Sequence, residues 1–282
     1  MSTGLLSHGW LIAFLALWIA LAVGSFLNVL IYRLPVMLDR QWREQSEALL
    51  KTPPLAAPAH DGPFNLFVPR SRCVQCGTQI RAVDNIPILS WLLLRGRCAS
   101  CKAPISVRYP LVEALTAMCS LAVVAVYGFE PLCLAALAFT WIAIALTFID
   151  LDTKLLPDAL TYSLLWLGLA INIDGAFTDL ASAVIGALTG YLFLYGVYWT
   201  FKLLTGKEGM GYGDFKLLAA LGAWYGWKAL PMLVLLSSLV GVVVGGGYLL
   251  LRRSREPIPF GPYLAIAGWV ALISHGRVVA PF

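Results

Sequence analysis

Eight stretches of the chain carry no Asp, Glu, Lys or Arg: Met1–Tyr32, Ala114–Phe129, Pro131–Ile149, Ala159–Ile173, Leu180–Phe201, Leu217–Trp227, Ala229–Leu251 and Pro257–Gly276. A soluble domain must present a polar exterior, and such runs leave nothing to build one from. Charged residues make up 12% of the 282 residues and hydrophobic ones 60%, against about 25% charged in an average soluble protein. An ordinary cytosolic enzyme, a disordered chain and a disulfide-rich secreted domain are excluded. An all-α polytopic membrane protein with about eight transmembrane helices is expected. A helix needs about 20 apolar residues to cross the hydrocarbon, and five of the eight stretches are long enough alone. Ala114–Phe129 becomes long enough if its helix starts near Pro110 and takes Glu113 along. Ala159–Ile173 and Leu217–Trp227 are short, as segments that line a site or sit below the bilayer surface often are. Met1–Gly9 holds no Lys or Arg and no A-x-A-like site follows, so the first stretch reads as a retained helix and not a signal peptide.

Lys and Arg mark cytoplasmic loops. Residues 33–110 hold eleven, the turn at Lys154 one, the loop Lys202–Lys216 three and the trio Arg252, Arg253 and Arg255 three. With eight spans these eighteen fall on one side, leaving Lys228 and Arg277 on the other. Residues 33–110 are therefore expected in the cytoplasm and both termini outside.

That insertion is the one segment long enough for a soluble domain. A mixed polar stretch, Asp39–Leu50, is followed by Pro53, Pro54, Pro58, Pro63 and Pro69, which break regular structure. Then come Cys73-Val-Gln-Cys76 and Cys98-Ala-Ser-Cys101, with 21 residues between them. Paired C-x-x-C knuckles let four thiolates converge tetrahedrally on one zinc, and a small domain with few core residues gains folding energy from such a metal. Gly77 suits the tight turn after the first knuckle. Disulfides are disfavoured on the cytoplasmic side, and four Cys ligands leave no open position for catalytic zinc. Cys119 and Cys133 lie in apolar stretches and read as small buried hydrophobes. His8, His60 and His275 form no cluster.

Carboxylates beside membrane spans are costly and usually functional. Asp150, in Phe148-Ile149-Asp150-Leu151-Asp152, ends the third span; Asp214, in Gly209-Met210-Gly211-Tyr212-Gly213-Asp214, opens the sixth. The charge count puts both on the cytoplasmic face. Two such carboxylates can divide a hydrolysis: one deprotonates a water while the other, protonated, polarises the scissile carbonyl. Held close, they share a proton. Gly209, Gly211 and Gly213 permit positive φ and close backbone approach. Asp158 reads as a helix N-cap, Asp152 as pointing away from Asp150, and Glu113 as a helix-start charge favoured by the dipole.

Taken together, these residues resemble the bacterial type IV prepilin peptidases, membrane aspartyl proteases of the G-x-G-D kind. The likeness is carried by Gly24-Ser25-Phe26-Leu27-Asn28-Val29-Leu30-Ile31-Tyr32-Arg33-Leu34-Pro35, by both cysteine knuckles, by Ile105-Ser106-Val107-Arg108-Tyr109-Pro110-Leu111-Val112-Glu113 and by both aspartate motifs. The resemblance implies removal of the basic leader from prepilins and from the pseudopilins of type II secretion, at the cytoplasmic face of the bacterial inner membrane. It implies N-methylation of the new N-terminal residue with S-adenosylmethionine, Asp150 and Asp214 as the catalytic pair, and Cys73, Cys76, Cys98 and Cys101 as the metal ligands. The expected division is a first transmembrane helix over 1–32, a cytoplasmic zinc-binding domain over 33–110, and a transmembrane aspartyl protease core of about seven helices over 111–282. No glycine-rich signature for a methyl donor is present; Arg108 and Glu113 are weak candidates. The expected partners are prepilins, pseudopilins and the lipid bilayer, with no nucleic acid. Asn28 and Ser25 either line a substrate groove or satisfy helix contacts, the second being favoured.

Two rivals keep the aspartates structural or recast them. A membrane methyltransferase alone would methylate a pre-cleaved substrate without proteolysis. A proton-coupled transporter would use the pair as a relay, but no Asp lies mid-span and no internal repeat is visible.

Overall fold

A computed structural model describes residues 3–50, 64–247 and 259–274, with side chains in the first helix described from residue 13. Pro53, Pro54, Pro58 and Pro63, the arginines Arg252, Arg253, Arg255 and Arg277, and the side chains of His8, His60 and His275 lie outside the described residues. Among the described residues the protein is helical, with two isolated β-bridges and no strand. The chain falls into two compact units, Met1–Leu121 and Ala122–Phe282.

The first unit opens with α1 (Thr3–Leu50), which does not end where its charge-free stretch ends. It runs through Arg33 and past Pro35 for 48 residues, about 72 Å at 1.5 Å per residue. A hydrocarbon core occupies about 20 of them, so the polar stretch Asp39–Leu50 is a continuation of the membrane helix and not a separate element. Asp39 and Arg43 pair along it at 2.9 Å. Within the same helix Arg33 is buried and donates to the carbonyls of Asn65 (2.8 Å) and Pro69 (2.5 Å), while its guanidinium and that of Arg40 flank the Phe64 ring. The short α2 (Leu89–Leu93) and most of α3 (Arg108–Tyr127) complete the unit. α3 does start before Pro110 and takes Glu113 with it. A Cβ on Gly24 would come within 2.7 Å of Glu113 Cα, so a side chain there would force the two helices apart.

The second unit holds α4 (Pro131–Thr153), α5 (Asp158–Ile171), α6 (Leu180–Thr205), α7 (Tyr212–Tyr225), α8 (Leu230–Val240, continued by a π-helical turn Gly241–Gly245) and α9 (Gly261–Ile273). Every charge-free stretch thus becomes a helix. Five spans are long and apolar enough to cross a membrane: Ala13–Leu50, Arg108–Tyr127, Pro131–Thr153, Leu180–Thr205 and Trp227–Gly245. α5, α7 and α9 have 14, 14 and 13 residues, so the last stretch yields a shorter helix than its sequence length suggests. The protein is a multi-pass membrane protein.

α7 is the centre of this unit. From Asp214 to Tyr225 its side chains are nearly all buried, and it packs most extensively on α6 and α5. Glycines make that possible. Gly186 of α6 and Gly222 of α7 meet backbone to backbone, and a Cβ on Gly190 would lie 2.8 Å from the Leu218 carbonyl. Gly168 of α5 leaves room for the Trp224 ring, whose Nε1 donates to Leu164 O at 2.9 Å. At the far end, fully buried Asn172 donates to the carbonyls of Ala223 and Trp224 at 2.8 and 2.9 Å and accepts from the amides of Phe177 and Thr178 at 2.9 and 3.1 Å. It thereby satisfies the carbonyls a helix end leaves open.

Candidate active site and metal centre

Asp150 lies near the C-terminal end of α4. Lys154, in the left-handed region at φ 56°, caps that helix by donating its amide to the Asp150 carbonyl at 2.9 Å. Asp214 lies in the first turn of α7, three residues after the N-cap Gly211, and its carboxyl faces the Gly211 backbone. The two carboxyls are electrostatic neighbours, and their residues are 5% and 7% exposed. The expected convergence of two positions 64 residues apart is thus present in the fold. Among the described residues Asp150 Oδ2 has no hydrogen-bond partner. A buried polar atom left without a bond is costly, so its presence marks a functional candidate; the Gly261 backbone faces the same carboxyl.

The wall around the pair was not predicted. Gly261, the first residue of α9, lies so near Asp150 that a Cβ there would be 2.5 Å from Oδ2. Leu156, buried in the α4–α5 turn, fills the space between Gly261 and Gly213: added Cβ atoms would fall 3.1 and 2.7 Å from it. Gly209, Gly211 and Gly213 do not use the positive φ open to them. The left-handed glycine of this loop is Gly206, at φ 69°. Gly213 is needed for space against Leu156, and Gly209 for space against the Phe201 ring at 2.8 Å. The close approach is real, but the protein's own side chains make it.

Asp158 is not an N-cap. Pro157 occupies that position without a side-chain bond, and the Asp158 carboxylate instead accepts from Lys216 Nζ at 2.6 Å. Lys216 was the overlooked residue: charge scarcity, which singles out Asp214, singles it out equally. Asp152 is exposed, on the side away from Asp150.

In the first unit the four cysteines come together. Their sulfurs all lie within 4.8 Å of one another, and those of Cys73 and Cys101 are 3.8 Å apart. Tetrahedral zinc with 2.3 Å bonds sets its sulfurs about 3.8 Å apart, so the cluster could hold such a metal. The two knuckles are built alike. Cys73 N–H donates to Thr78 O and Gly77 N–H returns to Cys73 O, both at 2.9 Å; Cys98 N–H donates to Ala103 O at 2.8 Å and Lys102 N–H to Cys98 O at 3.1 Å. Gly77 and Lys102 take the same left-handed corner, at φ 68° and 60°. Thr78, through its hydroxyl and its backbone, favours the Cys76 thiolate and holds that thiol down at about 6; the Cys101 and Ser100 amides lower Cys98. All six cysteines are free; Cys133 is buried as expected, whereas Cys119 is only half-buried.

Arg108 and Glu113 both lie on α3. Five positions apart, they occupy different faces of α3. Glu113 is buried: Oε2 accepts from Ile88 N–H at 2.7 Å, and Ser25 bonds it as well. Asn28 donates to Tyr109 O at 3.1 Å. Ser25 and Asn28 are thus engaged in helix contacts, the favoured of their two readings.

Known proteins bear on both regions. The model of the bacterial peptidase A24 N-terminal domain matches residues 18–127, and that of the type IV leader peptidase family matches residues 137–246. A prepilin leader peptidase/N-methyltransferase of Aeromonas hydrophila is 58% identical, over 95% of this chain and 93% of that protein. Proteins of the same name from Pseudomonas aeruginosa and Burkholderia pseudomallei are 51% and 47% identical, over 99% and 95% of this chain and 96% and 86% of theirs. No solved structure matches. With two family models side by side and relatives similar along nearly their whole length, the chain belongs to the type IV leader peptidase family.

Proposed function

We propose that this protein is a prepilin peptidase and N-methyltransferase. It removes the basic leader from type IV prepilins and type II secretion pseudopilins and then methylates the new N-terminal residue. The reading rests above all on the buried Asp150–Asp214 pair. One ionised carboxylate takes a proton from water. The resulting hydroxide equivalent adds to the scissile carbonyl, which the other, protonated carboxyl polarises. Proton return to the departing amine regenerates the pair. The small-residue wall of Gly213 and Gly261 sets the two carboxyls, and apolar burial excludes bulk water.

The site faces the cytoplasm of the bacterial inner membrane, by the eighteen-to-two division of Lys and Arg. Zinc is held by Cys73, Cys76, Cys98 and Cys101, whose sulfur spacing fits it. Its contribution is folding energy for a segment with little core. S-adenosylmethionine is the methyl donor, and Arg108 and Glu113 remain weak candidates for its pocket, Glu113 being bonded also to Ile88 and Ser25.

The test is incubation of a prepilin and labelled S-adenosylmethionine with the wild type, Asp150→Asn and Asp214→Asn in detergent. Both variants should lose at least about 10³-fold in leader cleavage and still methylate a pre-cleaved substrate. Retained cleavage in either variant overturns the assignment of the pair.

A further inference from the structure

Asp150 and Asp214 sit on helices that also touch further along, where the Phe139 ring of α4 lies 4.8 Å from that of Trp224 in α7; what closes the opposite ends, which carry the two carboxyls, is a separate set of contacts. The chain leaving Asp150 ends α4, turns through Lys154–Pro157 and starts α5 at Asp158. The chain leaving Asp214 reaches Lys216 within the same helical turn. Residues two apart on a helix point to nearly opposite sides, so α7 turns Asp214 toward Asp150 and Lys216 toward α5. There Lys216 Nζ meets Asp158 Oδ1 at 2.6 Å and lies 5.3 Å from the centre of the Tyr162 ring. Leu156 is wedged against Gly213 inside the short loop that this ion pair closes.

We propose that Asp158 and Lys216 are positioning residues: their ion pair clasps the start of α5 to the start of α7 and thereby fixes Asp214 opposite Asp150. The inference rests on the dyad reading above. The Asp158 side chain is 56% exposed and that of Lys216 20%, and an ion pair with one partner open to water adds little to stability. Small errors in placing a reacting group, by contrast, cost large factors in rate. The pair should therefore count in turnover and hardly at all in folding.

The experiment uses the full-length enzyme in detergent with a prepilin, reading kcat, KM and thermal melting together. Asp158→Asn and Lys216→Met should each lower kcat for cleavage about 10- to 100-fold with KM changed less than about twofold and melting unmoved. Lys216→Arg should recover most of the rate. The charge exchange Asp158→Lys with Lys216→Asp should cleave about tenfold faster than either single reversal. Methylation of a pre-cleaved substrate should be untouched throughout. Wild-type kcat in Asp158→Asn and Lys216→Met overturns the clasp, as does a loss carried by KM or by melting without recovery in the exchange. Asp214→Asn run in parallel separates the two ideas. If it is inactive while Asp158→Asn is normal, only the clasp falls; if it cleaves, the dyad reading itself falls.

Discussion

The aspartate pair and the cysteine cluster solve one problem by opposite means. Each gathers residues from distant points of the sequence. Around Asp150 and Asp214 the gathering is done by packing: Leu156, Gly213 and Gly261 interlock at van der Waals range, and Asn172 and Trp224 fasten the far end of the same helix. Around the cysteines there is almost no packing. Cys76 and Cys101 are exposed, two knuckle turns supply the backbone geometry, and Trp91 donating to Ile105 O at 3.2 Å is one of few long side-chain bonds nearby. A packed site fails when volume is added. A metal-gathered site fails when a ligand is removed and tolerates added volume.

The largest contrast should come from volume. Gly261→Val puts methyl groups where Asp150 Oδ2 and Leu156 already stand. Its kcat for leader cleavage should fall about 100-fold, measured against a prepilin, while metal content stays at the wild-type value. Unchanged cleavage would mean that the wall around the pair is loose enough to yield, and the distinction between the two regions would lose its basis.

Which parts of this were legible beforehand follows from what kind of information each part carries. A membrane span is written in one dimension as missing charge, and all eight apolar stretches become helices. Asp150 and Asp214 were legible for the same reason. The paired C-x-x-C spacing is likewise local, because each knuckle is a single turn. Leu156, Gly213 and Gly261 were not legible as a unit. Their roles exist only once three helix ends meet, and nothing in a one-dimensional pattern says which glycine faces which side chain. Asp158 was misread because an Asp at a helix start is favoured as a cap, whereas Pro157 holds that position and a lysine 58 residues away takes the carboxylate. α1 was cut short because loss of hydrophobicity marks the membrane edge and not the end of a helix.

Removal of a ligand tests the other side of the comparison. Cys73→Ser should reduce bound zinc from about one per chain to a small fraction, read by metal analysis of the purified protein. The damage should fall on the domain that metal folds, with methylation reduced about tenfold and cleavage by less than about threefold, as expected when metal binding is folding energy for one unit. Equal loss of both activities would show that the cysteine domain also sustains the peptidase.

The smallest effect is the most pointed. Gly77 and Lys102 occupy the same left-handed corner in the two knuckles, and a Cβ on Gly77 would meet nothing within 4 Å. Gly77→Ala therefore pays only for its backbone, about 1 kcal/mol, or about fivefold in zinc affinity by competition with a chelator. Lys102→Gly relieves the same strain and should tighten zinc, though more flexibility in the unfolded chain offsets part of the gain. A much larger loss in Gly77→Ala would mean that the knuckle is as tightly packed as the aspartate site. The opposite signs expected at two matching corners would instead locate the cost in φ alone, leaving Gly77 as a residue chosen for conformation and Gly261 as one chosen for space.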